Sequence, residues 1–459
     1  MNIDILKGKK HIHFIGIGGS GMYPLAQILH TKGYYLTGSD NNETETLQAV
    51  RDMGIPVYLG QRAENIEGAD LIVHTAAIMA DNPELIAAKA SGVPVLERSE
   101  LLGIVTSWYD NAICVAGTHG KTTTTSMCTH IMMAAEKDPT VMIGGTLPLL
   151  HACHRVGKGN TIIMESCEYY NSFLSLNPTI AVILNIEADH LDFFKDLEDI
   201  KHSFRCFAER VPVETGTVIA NYDDANTMDA LRGIARKVIT FGLNAKADVY
   251  AQNIVHRGSV SEFDIYHRGN YFARVTLHVP GIHNVRNALA ATAAAIVLGV
   301  SPNAVKYGLA GFEGAGRRFD FKGKFQGADL YDDYAHHPSE LRALLDAVDT
   351  LNYQRTIVVF QPHTYSRTAK LFNDFVEQLR RPTIVYLAEI YAAREKNTIG
   401  ISSADLAAQI PGAKFYPTFA EIERELRRIA RPGDIILTVG AGDVFRIGEH
   451  LLQQSDSEN

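Results

Sequence analysis

Residues 114–125 read CVAGTHGKTTTT, and the types gathered in Gly117–Thr122 are those that grip nucleotide phosphates. Gly117 and Gly120 let backbone approach an anion closely. Lys121 can bridge β- and γ-phosphates, and the Thr122 hydroxyl can ligate Mg2+. The run follows the apolar AICVA and enters a helical pattern, so Thr118, His119 and Thr123 flank a helix start whose N–H groups attract negative charge. Val115 stands where the usual phosphate-loop spacing has glycine, which predicts a shorter loop. The plain alternative is a strand-to-helix turn capped by threonine.

A metal that neutralises phosphate needs hard oxygen donors, with nitrogen possible. Glu165 closes the apolar run TIIME with Glu168 just behind it, and NIEADHLD places Asn185, Glu187, Asp189 and His190 at another strand exit. In an open parallel sheet such exits converge on the ligand crevice, so Glu165, His190 and the Lys121 loop are expected at one edge.

A second glycine pattern, GIGGSG, covers residues 16–21, and Asp40 follows 19 residues after Gly21 at the end of the next apolar run. That is a diphosphate-binding fingerprint, and NAD or a UDP-sugar would satisfy it. GIHNVRNALAA opens a helix with Asn284 and Asn287 on one face, suited to a purine, although Asn284 reads equally as a helix cap. GAGRRF places Arg317 and Arg318 where an arginine could meet a transferring phosphate. DDYAHHP carries His336 and His337, whose side chains point to opposite sides of an extended segment; this argues against a shared metal and for hydrogen bonding to substrate or ribose. QPHTYSRT offers Arg367 as a bidentate carboxylate clamp. TVGAGD reads as a structural turn.

The elements that must position these residues fall into three blocks, each opened by an apolar strand running into a turn. Alternating strands and helices predict α/β architecture with parallel sheets. Residues 248–279 instead alternate with a period near two and break at Gly258 and at HRGN, which predicts an antiparallel insertion. A helix is expected from about His283 to Leu298. The expected boundaries are 1–108, 109–316 and 317–459, with a frayed tail over QQSDSEN. The 459 residues are 46% hydrophobic and 21% charged, with net charge -9 and no long basic run, which argues against a general nucleic-acid binder. The longest apolar candidate, 288–300, has 13 residues and is too short to span a membrane. Nothing at the N-terminus suggests export, and the five cysteines, none in a CxxC pair, fit a reduced cytoplasm as small apolar residues.

These motifs together (GIGGSGM, GSD, TAAI, ERSELL, AGTHGKTTTT, NIEADH, GIHNVRNALAA, GAGRRFDFKG, DDYAHHP, QPHTYSRT and VGAGD) run almost the whole chain and resemble the Mur ligase family. The resemblance is strongest to the branch that joins L-alanine to UDP-N-acetylmuramate. It implies an N-terminal Rossmann-like UDP-binding domain, a central P-loop-type ATPase domain carrying the antiparallel insertion, and a C-terminal Rossmann-like domain. It also implies ATP and Mg2+ as cofactors and an acyl-phosphate route to an amide, in peptidoglycan precursor synthesis. By resemblance, Lys121 holds the β/γ-phosphates; Thr122, Glu165 and His190 hold metal; Asn284, Asn287, Arg318 and Asp333 contact ATP. Gly18, Gly19, Ser20, Gly21, Met22 and Asp40 take the UDP-sugar, and His336, His363 and Arg367 the remaining substrate contacts. Lys121, Glu165, His190 and Arg318 would be catalytic. The chain departs from the family at ESCE, where Glu-Ala-Asp-Glu is expected, at Ser203, where several relatives carry a carbamylated lysine, and at Thr364, where many have arginine.

The competing readings are a muropeptide-recycling ligase that adds a tripeptide to the same UDP-sugar, a nucleotide-binding regulator, and an NAD oxidoreductase. If the first glycine loop holds the sugar nucleotide and the second holds ATP, Ser20→Trp weakens UDP-sugar binding and spares ATP binding. Calorimetry with each ligand separately checks this, and equal loss of both would refute separate sites.

Overall fold

The computed structural model describes residues 3–456, which form three sheets of five, ten and six strands. The first is wholly parallel, in the spatial order Val57–Leu59, Tyr35–Asp40, His11–Ile15, Leu71–His74, Val95–Glu97. His11–Ile15 was laid down first and was then flanked on both sides. Its C-terminal end is therefore the topological switch point, and GIGGSG sits on it.

The central sheet runs Asn270–Leu277, Val260–His267, Val249–Arg257, Val238–Gly242, Thr217–Asn221, Ile180–Ile183, Asn111–Ala116, Thr161–Glu165, Thr140–Leu147, Ala152–Arg155. The strand leading to Gly117 lies between two parallel neighbours, with Ala116 opposite Ile183 and Val115 opposite Glu165. Three strand exits thus share one level, and the segments after Ala116, Glu165 and Ile183 must meet. The period-two stretch forms antiparallel pairs around Gly258 and Gly269, as the alternation predicts. The hairpin Thr140–Leu147/Ala152–Arg155 on the opposite edge is a further antiparallel pair with no clear sequence signature.

The third sheet orders Asp320–Phe325, Ala328–Asp333, Asp434–Val439, Arg355–Phe360, Ile384–Leu387, Lys414–Phe415; only its first pair is antiparallel. That first strand begins four residues after the expected boundary at 316. The helix expected from His283 spans Ile282–Val297, and Ala288–Ala295 are buried throughout, the polar Thr292 included. Among the described residues no helix is long and apolar enough to cross a membrane. The last helix is Phe445–Asp456, and residues 457–459 of the tail expected to fray lie outside the described residues. Cys114 and Cys128 are buried as expected of apolar cysteines, but Cys167 is exposed.

Packing divides the molecule unequally. One continuous apolar cluster joins the first sheet (Ile12, Phe14, Leu71, Val73) to one face of the central sheet (Ala112, Cys114, Ile162, Ile183) through Leu101, Leu102, Ile104 and Val105 of helix Arg98–Thr106. The other central face packs under helices Lys121–Ala134 and Ile282–Val297. The third sheet has its own two clusters. Burial of apolar surface is the main favourable term in folding, so the first and central parts are held as one unit and the third by a separate core. Phe173 anchors the shared cluster, stacked on Phe207 at 4.7 Å and edge-on to Phe204 at 5.2 Å. Phe173→Ala leaves a cavity there and should destabilise this unit by about 3–5 kcal/mol, read as a lower urea midpoint; an unchanged midpoint would refute the shared core.

Candidate active site

The Gly117–Thr122 loop has the backbone that its glycines predict. Gly117 has φ 148° and Gly120 φ 86°, both in the region that favours glycine. A side chain at 117 would meet Leu184 Cβ at 2.8 Å, and one at 120 would meet Asn287 Oδ1 at 2.7 Å. Gly120 is the N-cap of helix Lys121–Ala134 and no side chain caps it, so the threonine-capped turn is not what forms. Asn185 pins the loop from the neighbouring strand exit: His119 N–H donates to its Oδ1 at 2.8 Å and its Nδ2 donates to His119 O at 3.0 Å.

Lys121 Nζ folds back over the loop. It donates to Gly117 O at 2.6 Å, Thr118 O at 3.2 Å and Glu168 Oε2 at 3.0 Å. Burial opposes its charge most strongly, but Glu168, together with Cys167 and Glu165, outweighs it and holds the ammonium protonated. Thr122 Oγ1 donates to Glu165 Oε2 at 2.8 Å, and Gly144 N–H donates to the same oxygen at 2.9 Å. A Cβ at 144 would lie 2.6 Å from that carboxylate, so this hairpin glycine is part of the site. His190, at φ 51°, stacks on Tyr169 at 4.4 Å, with Nε2 3.9 Å from Glu168 and 3.8 Å from Asp189. The expected meeting at one edge therefore takes the form of two linked pairs, Thr122–Glu165 and Lys121–Glu168, with His190 beside the second.

Two cavities open from this edge. One of about 620 Å3 is lined by His119, Gly120, Thr122, Thr123, Asn284, Asn287, Arg318 and Asp333, among others. Asn284 is not a helix cap: Gly281 holds that place, and Asn284 Nδ2 donates to Pro280 O at 2.7 Å while its Oδ1 accepts from Asn287 at 3.2 Å. The paired arginines separate by role. Arg317 is tied to Asp332 at 2.9 Å and packs on Tyr334 and Phe445, whereas Arg318 lies over Tyr334 and faces the cavity. Asp333 accepts from Phe319 N and Ala335 N, each at 2.8 Å; burial pushes its carboxyl up to about 6 against the pull of Arg318.

The other cavity, of about 300 Å3, is lined by Ser20, Gly21, Arg98, Gly144, Cys153, Glu165 and Cys167 among others. Gly18 N–H donates to Asp40 Oδ2 at 3.0 Å, Gly19 turns back on Gly16, and buried Met22 starts the helix Tyr23–Thr31. Arg98 lies against Gly21, and the sequence reading assigned it no role. It opens helix Arg98–Thr106 directly after strand Val95–Glu97, so the strand-exit rule applied to ERSELL would have found it.

His336, His363 and Arg367 gather on the third sheet's side. Arg367 is not an open clamp in this arrangement: its Nε and Nη2 both reach Asp189 Oδ1, at 3.2 and 2.9 Å, and its Nη1 meets His363 Nδ1 at 3.1 Å. Burial, chiefly, lowers His336 and His363 to about 4, so both rings are neutral near pH 7. His336 faces His363, while His337 faces His119, as opposite sides of an extended segment require. Ser203, on the expected carbamate position, is buried and donates to Asn171 Oδ1.

With this geometry in view, the comparisons with known proteins are decisive. Mur ligase family models match residues 11–109 (catalytic domain), 115–295 (middle domain) and 317–442 (glutamate ligase domain).

The chain belongs to the Mur ligase family.

A curated Mur ligase relative, the UDP-N-acetylmuramate–L-alanine ligase of Agathobacter rectalis, is 48% identical over 97% of this chain and 98% of its own. Among solved Mur ligases, UDP-N-acetylmuramate-alanine ligase MurC of Thermotoga maritima superposes with TM-score 0.80 at 27% identity, over 98% of this chain and all of that one. The murein peptide ligase of Psychrobacter arcticus shares the fold at TM-score 0.69 and 24% identity, over 97% of this chain and 98% of that one.

The electrostatics generate a pH dependence. Burial opposes a proton on His119, but Glu340 at 3.1 Å and Glu187 at 3.4 Å outweigh it and raise the ring from 6.5 to about 9. Because the folded value lies above the unfolded one, this stabilisation is complete below about pH 6.5 and is lost as pH rises through about 9. Urea midpoints measured across that window should fall more steeply for the native chain than for His119→Gln; parallel slopes would refute the ion pairs.

Proposed function

We propose that this Mur ligase joins L-alanine to the lactyl carboxylate of UDP-N-acetylmuramate at the expense of ATP, supplying a peptidoglycan precursor. The carboxylate oxygen attacks the γ-phosphorus, ADP leaves, and the resulting acyl phosphate is attacked by the alanine amine, which releases phosphate and a proton. A carboxylate is a poor electrophile, and phosphorylation gives it a good leaving group, so the protein's task is alignment and charge neutralisation.

The observation that carries this reading is the 2.8 Å contact between Thr122, which lines the larger cavity, and Glu165, which lines the smaller one. ATP in the larger cavity and the sugar nucleotide in the smaller place the γ-phosphate and the acid arm on either side of that pair. Hydroxyl and carboxylate oxygens suit Mg2+, which Thr122 and Glu165 would hold, with His190 turning from Glu168 to join them; when bound the ion neutralises phosphate charge. Lys121, freed from Glu168 and the loop carbonyls, would take the β- and γ-phosphate oxygens. Gly117–Thr123 would wrap the phosphates, Asn284 and Asn287 the base, Asp333 the ribose side, and Arg318 the transferring group. Gly18–Met22 and Arg98 would take the diphosphate, with Asp40 released from Gly18 for the ribose. His336, His363 and Arg367 would form the alanine end. The working domain limits are 1–108, 109–316 and 317–459. The 48% identity over nearly the full length of an L-alanine ligase supports alanine over a tripeptide as acceptor.

Phosphate release with UDP-N-acetylmuramate, ATP and Mg2+ should be stimulated by L-alanine. Lys121→Ala should lower kcat on the order of 10^2–10^3-fold and leave the Kd for the UDP-sugar unchanged. Stimulation by the tripeptide alone would overturn the acceptor; equal loss of kcat and sugar binding would overturn the two-cavity arrangement.

A further inference from the structure

Between the central and third sheets lies a cluster of which only His119 belongs to the loop placed around the phosphates. His119, Glu187 and His337 each present a ligand atom within 4.8 Å of the others, and among the described residues this is the only His, Cys, Asp or Glu group of three so placed. The two imidazoles face each other with centroids 4.9 Å apart. His337 is 6% exposed, yet its Nε2 has no hydrogen-bond partner. Neither nitrogen of His119 has a partner of hydrogen-bonding geometry, although Glu187 and Glu340 lie at ion-pair distance. Buried polar atoms are normally satisfied, so the unpartnered Nε2 of His337 beside this cluster needs an explanation.

We propose that His119, Glu187 and His337 bind a borderline divalent transition ion of the Zn2+ class, tying the phosphate loop to the third domain. Two imidazoles and a carboxylate are a Zn2+ donor set and a poor one for Mg2+, which prefers oxygen throughout. Tetrahedral Zn2+ with bonds of about 2.0–2.2 Å separates its ligand atoms by about 3.4 Å. His119 Nε2 and Glu187 Oε2 already stand 3.4 Å apart, so only the His337 ring has to draw in. The surrounding groups suit ligating histidines, which commonly give their other ring nitrogen to a carboxylate or similar acceptor. His119 Nδ1 lies 3.1 Å from Glu340; His337 Nδ1 accepts from Ser339 N–H at 3.3 Å, and binding an ion through Nε2 would exchange that cap for donation to Ser339 Oγ, 3.1 Å away. His119 and Glu187 line the larger cavity, which gives the ion a way in. The set is distinct from Thr122 and Glu165. Its effect would be inhibitory: an ion bridging loop and third domain holds together parts that must separate for product release. The proposal rests on this geometry and not on the identity of the acceptor or sugar.

The test is Zn2+ titration of the full chain without nucleotide or Mg2+, in competition with a chromophoric chelator. The native chain should take up one equivalent. His337→Asn keeps an oxygen to cap helix Pro338–Asp349 but removes the ring; it should bind Zn2+ on the order of tenfold or more weakly. Glu187→Gln should lose affinity likewise, which guards against a folding artefact in either variant. In Mg2+-dependent phosphate release, Zn2+ that slows the native chain should leave His337→Asn running at its Zn2+-free rate. No stoichiometric uptake by the native chain, or equal affinity in native and both variants, overturns the proposal, and either result leaves the ligase reading untouched.

Discussion

The Thr122–Glu165 hydrogen bond is the join on which the rest of the site depends. It exists because Asn111–Ala116 and Thr161–Glu165 are parallel neighbours in register, so one strand delivers a glycine loop and the other a carboxylate at the same level. Moving either strand by one residue would turn Glu165 to the opposite face of the sheet. The two glycines in the loop, the glycine in the facing hairpin and the asparagine that clasps the loop all accommodate this one approach. Each removes bulk or satisfies backbone where the loop and the Glu165 carboxylate come close.

The packing explains why such a site can turn over. The first and central parts share an apolar cluster, which fixes the smaller cavity against the phosphate loop. The third part is bound differently, by Arg367 to Asp189, Glu340 to His119 and Ser339 to Glu187. Ion pairs and hydrogen bonds of this kind are remade with water at small net cost, whereas separating an apolar cluster is expensive. The molecule is thus rigid between its first and central parts and yielding where the third part meets them. The charged groups tell the same story. Lys121, Arg367 and His119 each hold an acid in this arrangement, and those acids stand in for the negative charge that a triphosphate and a carboxylate would bring. Exchanging a fixed carboxylate for a ligand oxygen keeps each cation paired throughout.

The amino-acid sequence by itself determined the local chemistry: the glycine–lysine–threonine turn after an apolar strand, the GIGGSG loop with Asp40 beyond it, the period-two insertion and the long apolar helix. These follow from φ preferences, hydrophobic period and helix-end electrostatics, which act over a few residues. The strand Asp320–Phe325 and the hairpin Thr140–Leu147/Ala152–Arg155 were not legible, because neighbouring strands, and not local propensity, stabilise them. Only the tertiary structure decided which candidates meet. It committed Arg317 to Asp332 and left Arg318 facing the cavity, brought Arg98 over the first glycine loop, closed Arg367 on Asp189, and set His119 against His337 across two sheets. Those pairings join residues tens to hundreds of positions apart, and strand order and packing, which no short stretch of sequence encodes, bring them together.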